Sequence, residues 1–290
     1  MLFVSLFLPF VVFADISLSA PALQEKPQIN WAFSAIENVD EKDRELMMND
    51  KNPLLELFKR ELPEYNHVFF YGTVQRIEHE LKTTKLTCYP ASTDASRRLE
   101  FSYATSLAAY PTPMLITRKE VANKIQNKNG RVFLKKLVKD SRYEGIFIDA
   151  RSYGVEIDKI LAGSENHFKR RVSNPIGSAN LQMILNKRAD YTIEFLFIVK
   201  SMEKIRNGDD LVALPMEDIA ASVTQFVICS RTPEGLELVS KLDRIISQNV
   251  EKIFYKEAML RLSPKNNEKV FRKEVEKFVR GRSLRSDIRQ

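Results

Sequence analysis

The amino-acid sequence predicts an α/β chain in which one strand–helix unit is interrupted by a second and then resumed. Three observations predict this. Residues 29–89 alternate strand and helix signals in the order βαβαβ. A second strand–helix series opens near Gly130. After Ser222 a strand and a long helix return with the same start signals as the first series.

In order, Ile29–Phe33 is a short apolar run that reads as the first strand. Asn52 then precedes Pro53. An Asn side chain accepts an N–H of the first helical turn, and proline's missing N–H is no loss there. The helix they start carries Leu54, Leu55, Leu57, Phe58 and Leu62 on one broad face and stops at Pro63. His67–Phe70 is the second strand, Thr73 caps a helix with Val74, Ile77 and Leu81 inward, and Lys85–Tyr89 is a third strand ended by Pro90. This order implies parallel strands joined by right-handed crossovers. Pro90–Arg98 is polar and reads as a loop outside the carboxyl end of a strand, where ligands of open α/β sheets sit.

Tyr110–Arg118 holds two prolines and then an apolar strand, and Val121–Arg131 is polar. Val132, Phe133, Leu134, Leu137 and Val138 suggest a helix, and Gly145–Asp149 a short strand. Ser152 is expected to cap a helix running to about Leu161. Ser178–Lys187 reads as a helix with Leu181, Ile184 and Leu185 inward, and Ala189–Val199 as a strand passing into a connecting segment. Ser222–Cys229 is a further strand. Thr232 and Pro233 repeat the cap-and-proline device before a long helix carrying Leu236, Leu238, Val239, Leu242, Ile245 and Ile246.

Composition narrows the function classes. The 290 residues allow two compact lobes or one large domain. Nine glycines argue against Gly-rich nucleotide loops. The net charge of +7 is concentrated at the end of the chain. There Lys265, Lys269, Arg272, Lys273, Lys277, Arg280, Arg282, Arg285 and Arg289 face Glu268, Glu274, Glu276 and Asp287. That stretch reads as a solvated, partly frayed helix or tail, or alternatively as a surface for anionic polymers or lipid.

Residues 1–14, MLFVSLFLPFVVFA, are too few to span a bilayer, which takes about 20 apolar residues. They read as a secretory signal peptide, with Val12 and Ala14 placed for cleavage, or as an uncleaved anchor. The expected location is therefore periplasmic. Cys88 and Cys229 form one disulfide or remain two buried thiols. His67, His79 and His167 are scattered, and no GxSxG, HExxH, P-loop or metal-spaced cluster occurs. The reading is a non-enzyme without cofactor or metal. Basic residues are not interleaved with aromatics in any nucleic-acid-binding pattern.

Several phrases then occur in one order: LPEYNHVFFYGTVQRIEHELKTTKLTCYP, Arg98, YPTPMLITRKE, GIFIDARSYGVEIDKIL, LNKRADYTIEF and VICSRTPEGLELVSKLDRII. Over about residues 29–262 this series resembles the periplasmic binding protein type 2 superfamily, which contains the polar amino-acid receptors of ABC transporters. The resemblance implies an α/β fold of two lobes joined by two crossover strands. Lobe one would take residues 22–116 and 220–262, lobe two 117–219, and residues 263–290 a basic C-terminal helix or tail. It implies a monomer that captures a small ligand, carboxylate-bearing or otherwise anionic or amino-acid-like, and presents it to an ABC permease or a membrane sensor. The alternative is a secreted interaction or sensor protein with a degenerate cleft.

The resemblance also points to site residues. Arg98, with Arg97 adjacent, matches the arginine that grips a ligand carboxylate, a role suited to the planar guanidinium fork; the alternative is an exposed loop arginine paired with Glu100 or Asp94. Arg151, Ser152, Tyr153 and Gly154 form the turn at a helix start in lobe two, where exposed N–H groups favour an anion. Trp31 is expected to wall the cleft or to pack in the core, and Tyr89, beside the Arg98 loop, to line the cleft or to cover the crossover. The acidic clamp usual in amino-acid receptors falls here on Phe195, with Glu194 beside it. The turn after the first strand is altered to SAIENVDE. Both cysteines would fall in lobe one, which allows a Cys88–Cys229 bond.

Overall fold

The computed structural model describes residues 25–34, 52–93, 96–149, 151–164, 168–171, 178–196, 198–199, 211–261 and 268–290. The expected signal peptide (residues 1–14), the SAIENVDE turn beyond Ser34, Asp94, His167 and the side chain of Arg97 lie outside the described residues.

The elements run β1 (Gln28–Ser34), α1 (Pro53–Glu61), β2 (Asn66–Gly72), α2 (Val74–Leu81), β3 (Thr87–Ser92), a single 3₁₀ turn (Ser96–Arg98), β4 (Ser102–Pro111), β5 (Met114–Arg118) and α3 (Lys119–Ile125). They continue with α4 (Leu134–Leu137), β6 (Gly145–Ile148), α5 (Val155–Ala162), β7 (Phe168–Arg171), α6 (Ser178–Leu185), β8 (Tyr191–Glu194) and β9 (Leu211–Leu214). The chain closes with β10 (Ser222–Ser230), α7 (Pro233–Asn249), α8 (Ile253–Leu260), α9 (Glu268–Arg282) and β11 (Ile288–Arg289).

Three helix starts follow the sequence chemistry. Asn52 accepts the Leu54 N–H at 2.9 Å, Thr73 that of Arg76 at 3.0 Å, and Thr232 that of Gly235 at 3.1 Å. Each satisfies a donor that has no partner inside its helix.

Two sheets result. One has the order β11-β4-β10-β3-β1-β2, with β1 parallel to β2 and β3 and with β10 antiparallel to β3 and β4. The other has the order β7-β6-β8-β5-β9. The chain is thus α/β and two-lobed. It leaves the first sheet between β4 and β5 and returns between β9 and β10. The two crossings are tied together, since the Thr112 N–H reaches the Ala221 carbonyl at 3.2 Å and its hydroxyl the Ala220 carbonyl at 2.6 Å.

Several expectations are corrected. Pro90 does not end β3; the strand runs on to Ser92. The β10 partner strand bulges between Phe226 and Ile228 opposite this point, so proline's missing N–H breaks no regular ladder. The polar Val121–Arg131 stretch begins inside α3, whose Val121 and Ala122 are buried. Four strands carried too weak a signal to be read: the buried β4, the four-residue β7 and β9, and the two-residue β11.

The C-terminal stretch is not a frayed tail. Phe271, Val275 and Val279 recur every fourth residue of α9 and are buried against the first-lobe core. Arg282 follows on the same face and is 3 % exposed. Its Nη2 contacts Asp243 Oδ1 at 2.5 Å and Thr105 Oγ1 at 2.9 Å, and its Nε donates to the Ser106 carbonyl at 3.2 Å. β11 then adds to the β4 edge opposite Thr105 and Ala104. Counting charge had hidden the apolar repeat beneath it.

Cys88 and Cys229 face each other across β3 and β10 and are disulfide-bonded, with Cα atoms 4.1 Å apart. The bond spans 141 residues of sequence and so encloses the entire second lobe. Replacing both cysteines with serine should lower stability by about 2–5 kcal/mol. Urea unfolding with and without reductant checks this: wild type should lose stability on reduction and the double variant should not respond.

Candidate ligand-binding site between the lobes

Strand alternation decides which first-lobe residues face the second lobe. On β1, Trp31 and Phe33 belong to one core cluster while Ala32 belongs to another on the opposite side. Trp31 is fully buried, stacks on Phe58 at 5.8 Å, and donates through Nε1 to His67 Nδ1 at 3.0 Å. It packs the core and walls no cleft. Ser34, on the other face, shares a 3.0 Å hydrogen bond with the Tyr89 hydroxyl.

Just past β3, the buried Thr93 hydroxyl lies 3.2 Å from the Ser152 carbonyl and 3.3 Å from Ser152 Oγ. This contact joins the lobes. Arg98 stands behind it, 3 % exposed, with Nη2 on Glu78 Oε1 at 2.9 Å and Nη1 3.5 Å from Ser92 Oγ. Its carbonyl accepts the Ser102 hydroxyl at 2.7 Å. The arginine therefore pins the end of β3, the α2 helix and the start of β4 to one another. Its carboxylate partner is Glu78, on a neighbouring helix, rather than Glu100.

In the second lobe, β6 delivers the chain to Arg151–Gly154, and all four residues are buried. Ser152 is not the helix cap; Gly154 is, at φ 112°. A Cβ there would lie 2.8 Å from Val223 on β10, so only glycine allows this turn to approach the first lobe. Ser152 Oγ accepts the Gly154 N–H at 3.2 Å and donates to Asp158 Oδ2 at 2.5 Å, while Asp158 Oδ1 accepts the Tyr153 N–H at 2.9 Å. The helix start thus already holds an anion, the Asp158 carboxylate, and the expectation that an incoming anion would meet bare amides here is corrected. Tyr153 is fully buried in the second-lobe core, its hydroxyl accepting the Ile148 N–H at 3.0 Å.

Arg151 makes a fork-to-fork pair with Glu194, at 2.6 Å on both arms, with side chains 7 % and 4 % exposed. The guanidinium lies 5.1 Å from the Tyr153 ring centre and 5.7 Å from that of Phe195. Phe195 meets Tyr110 of β4 edge-on at 5.2 Å. Burial opposes the charge on Arg151, and the Glu194 carboxylate outweighs it and raises the arginine's pKa. Burial raises the Tyr110 phenol, with Arg151 acting against it and Glu194 and Tyr89 with it. Val74, Ile148 and Ile198, with Phe195, add an apolar contact between the lobes.

The fold therefore gathers Tyr89, Arg151, Ser152 and Glu194 around one seam. Arg98 sits behind that seam, and Trp31 and Tyr153 lie in the two cores. Thr93 and Tyr110 were not singled out by sequence, and Phe195 was noted only as the place where an acidic clamp is missing. Their shared signal is position: each stands at the end of a strand or just past one, next to a crossing or a turn. Among the described residues no group of three His, Cys, Asp or Glu side chains could hold a metal ion, and no helix is long and apolar enough to cross a membrane.

No protein-family model matches the sequence, and no curated protein matches it. Solved structures do match in shape. A putative L-cystine ABC transporter protein from Listeria monocytogenes has a TM-score of 0.58 at 13 % identity, covering 83 % of this chain and 96 % of its own. A structure from work on glutathione import and the cystine importer of Streptococcus mutans scores 0.59 at 12 % identity, covering 84 % and 100 %. An arginine-specific periplasmic binding protein of Salmonella typhimurium scores 0.56 at 10 % identity, covering 80 % and 97 %. The fold is that of the two-lobed type 2 periplasmic binding proteins. At these identities the likeness speaks for the fold alone.

Two outcomes follow from the seam. Glu194→Gln leaves a buried guanidinium without its countercharge and should cost about 3–5 kcal/mol, whereas Arg151→Met with Glu194→Leu should fall within about 1 kcal/mol of wild type. Urea unfolding of the three proteins checks both. Burial also holds the Tyr153 phenol up at about 12 against an ordinary 10.0, with Arg151 lowering and Glu194 raising it. The folded chain then keeps a proton that the unfolded chain releases, so this stability is whole below pH 10 and is lost as pH rises through 12. Stability measured from pH 9 to 12 should fall less steeply in Tyr153→Phe, with the remaining slope due to the other buried phenols, which are also raised.

Proposed function

We propose that this protein is an extracytoplasmic solute-binding protein whose lobes close over a small amino-acid-like ligand at the Arg151–Glu194 seam. The buried ion pair carries this reading. Such a pair contributes little net stability compared with apolar side chains of the same volume. Placed where two lobes meet, it offers one cation and one anion that opening would expose together. A zwitterion supplies a carboxylate for Arg151 and an ammonium for Glu194, replacing one internal pair with two ligand pairs. Tyr89, Tyr110 and Phe195 provide aromatic walls, and Thr93 and Ser152 hydroxyls from opposite lobes. Arg98 is a second cation close to Thr93, able to assist a carboxylate if it is released from Glu78. The shape shared with cystine- and arginine-associated proteins supports the same reading; the partner would be an ABC permease or membrane sensor that recognises the closed form.

One observation favours a second reading, an exported interaction protein that takes no solute. Both cleft arginines already hold internal carboxylates, and Thr93 meets Ser152 directly.

Thermal-shift titration with amino acids, cystine, organic acids and sugars separates the two. A ligand at a hundred times its dissociation constant should add about 2.7 kcal/mol. Zwitterions are expected to stabilise the protein more than simple anions of the same size, and the Arg151→Met/Glu194→Leu protein should show no shift. Equal binding by that variant would overturn the site. No shift with any compound would favour the second reading. Arg98→Ala should lower the melting temperature without ligand, because it frees the end of β3.

A further inference from the structure

The turn after α9 joins three features that the ligand reading does not use. Leu284 is a non-glycine residue in the left-handed region, at φ 53°. This is the position after a helix end where glycine is the usual occupant, because a Cβ strains the backbone there. The Leu284 side chain gains nothing from packing in the lobe, since it is 84 % exposed. Its N–H is fixed to the Ser247 carbonyl of α7 at 3.3 Å, so the turn is held against that helix. Just beyond Ser247, α7 ends and α8 opens with Ile253, which is 75 % exposed.

Close to these two residues in the chain, or on the helix end that Leu284 is bonded to, are the exposed cations Arg244, Lys252, Arg280 and Arg285, none with a carboxylate partner among the described residues. Lys252 donates only to Asn249 Oδ1, at 2.7 Å. The nearby acids Asp243 and Asp287 are engaged inward, with Arg282 and Ser106, which leaves Glu251, Glu257 and Glu276 exposed.

We infer that this end of the first lobe docks on an anionic membrane surface, with Leu284 and Ile253 entering the headgroup layer and the four cations facing lipid phosphates. Two apolar side chains this exposed suit a fluid layer, which needs no matching pocket, better than a protein partner, which does. Interfacial binding takes both terms, apolar insertion and attraction of cations to anionic lipid. The inference rests on the chemistry of this face and is independent of what the cleft holds.

The test is cosedimentation of the full chain with vesicles of phosphatidylcholine alone or with equimolar phosphatidylglycerol. Any contribution of residues 1–14 is common to every variant and so cancels in the comparison between them. Wild type should bind the anionic vesicles at least about tenfold more tightly, an excess that high salt removes. Leu284→Gly with Ile253→Ser should lose most of that excess, and so should Arg280→Gln with Arg285→Gln. Leu284→Gly alone should melt at or above the wild-type temperature, which excludes misfolding as the cause. Equal binding to both vesicle types by wild type, or an undiminished excess in the Leu284/Ile253 variant, would overturn the inference.

Discussion

Both lobes hang from one antiparallel ladder, β4 against β10, which pairs from Pro111–Ser222 at the crossing to Ser102–Ser230 at the far end. Every other feature of the first lobe is attached to it. The disulfide joins β10 to β3, Arg282 ties α7 and α9 to Thr105 and Ser106, and β11 closes the outer edge of β4. At the crossing end the same two strands supply Tyr110 and Val223, which meet Phe195 and the Gly154 turn of the second lobe. Beyond Pro111 and before Ser222 the chain passes between the sheets in two connections, which Thr112 ties to each other.

The electrostatics follow one pattern. Arg98 pairs with Glu78, Arg118 with Asp190, Arg151 with Glu194 and Arg282 with Asp243. Each of these arginines is buried, and a buried guanidinium without a carboxylate would cost more than the chain can supply. Three of the pairs join elements of a single lobe. Arg151–Glu194 differs because aromatic rings cover it from both lobes, Tyr153 and Phe195 from one and Tyr110, through Phe195, from the other. The surplus positive charge is concentrated in residues 263–290, where nine lysines and arginines stand against four acidic residues, and among the described residues of this stretch only Arg282 is in a buried pair.

Local chemistry was legible from residue order. A helix start needs only a capping side chain and a proline, both within three residues of the place they act, so Asn52–Pro53 and Thr232–Pro233 could be read directly. The same holds for strands with strong apolar runs, and for an α/β chain that leaves its first unit and returns. Where a local signal had two explanations, sequence could not choose. Ser152 has a capping residue's chemistry, yet Asp158 reaches back and moves the cap to Gly154.

The residues therefore determined element types, their order and the two-lobed class, because those depend on neighbours in the chain. Tertiary structure alone decided which faces meet. It put Trp31 in a core and Ser34 on the opposite side, since adjacent strand residues point apart and only sheet packing says which side is inward. It assigned Glu78 to Arg98 and Glu194 to Arg151 over separations of 20 and 43 residues, for which no spacing rule exists. It also turned the basic C-terminus into a structural helix, because a buried stripe is defined by the surface it finds and not by the charges that surround it.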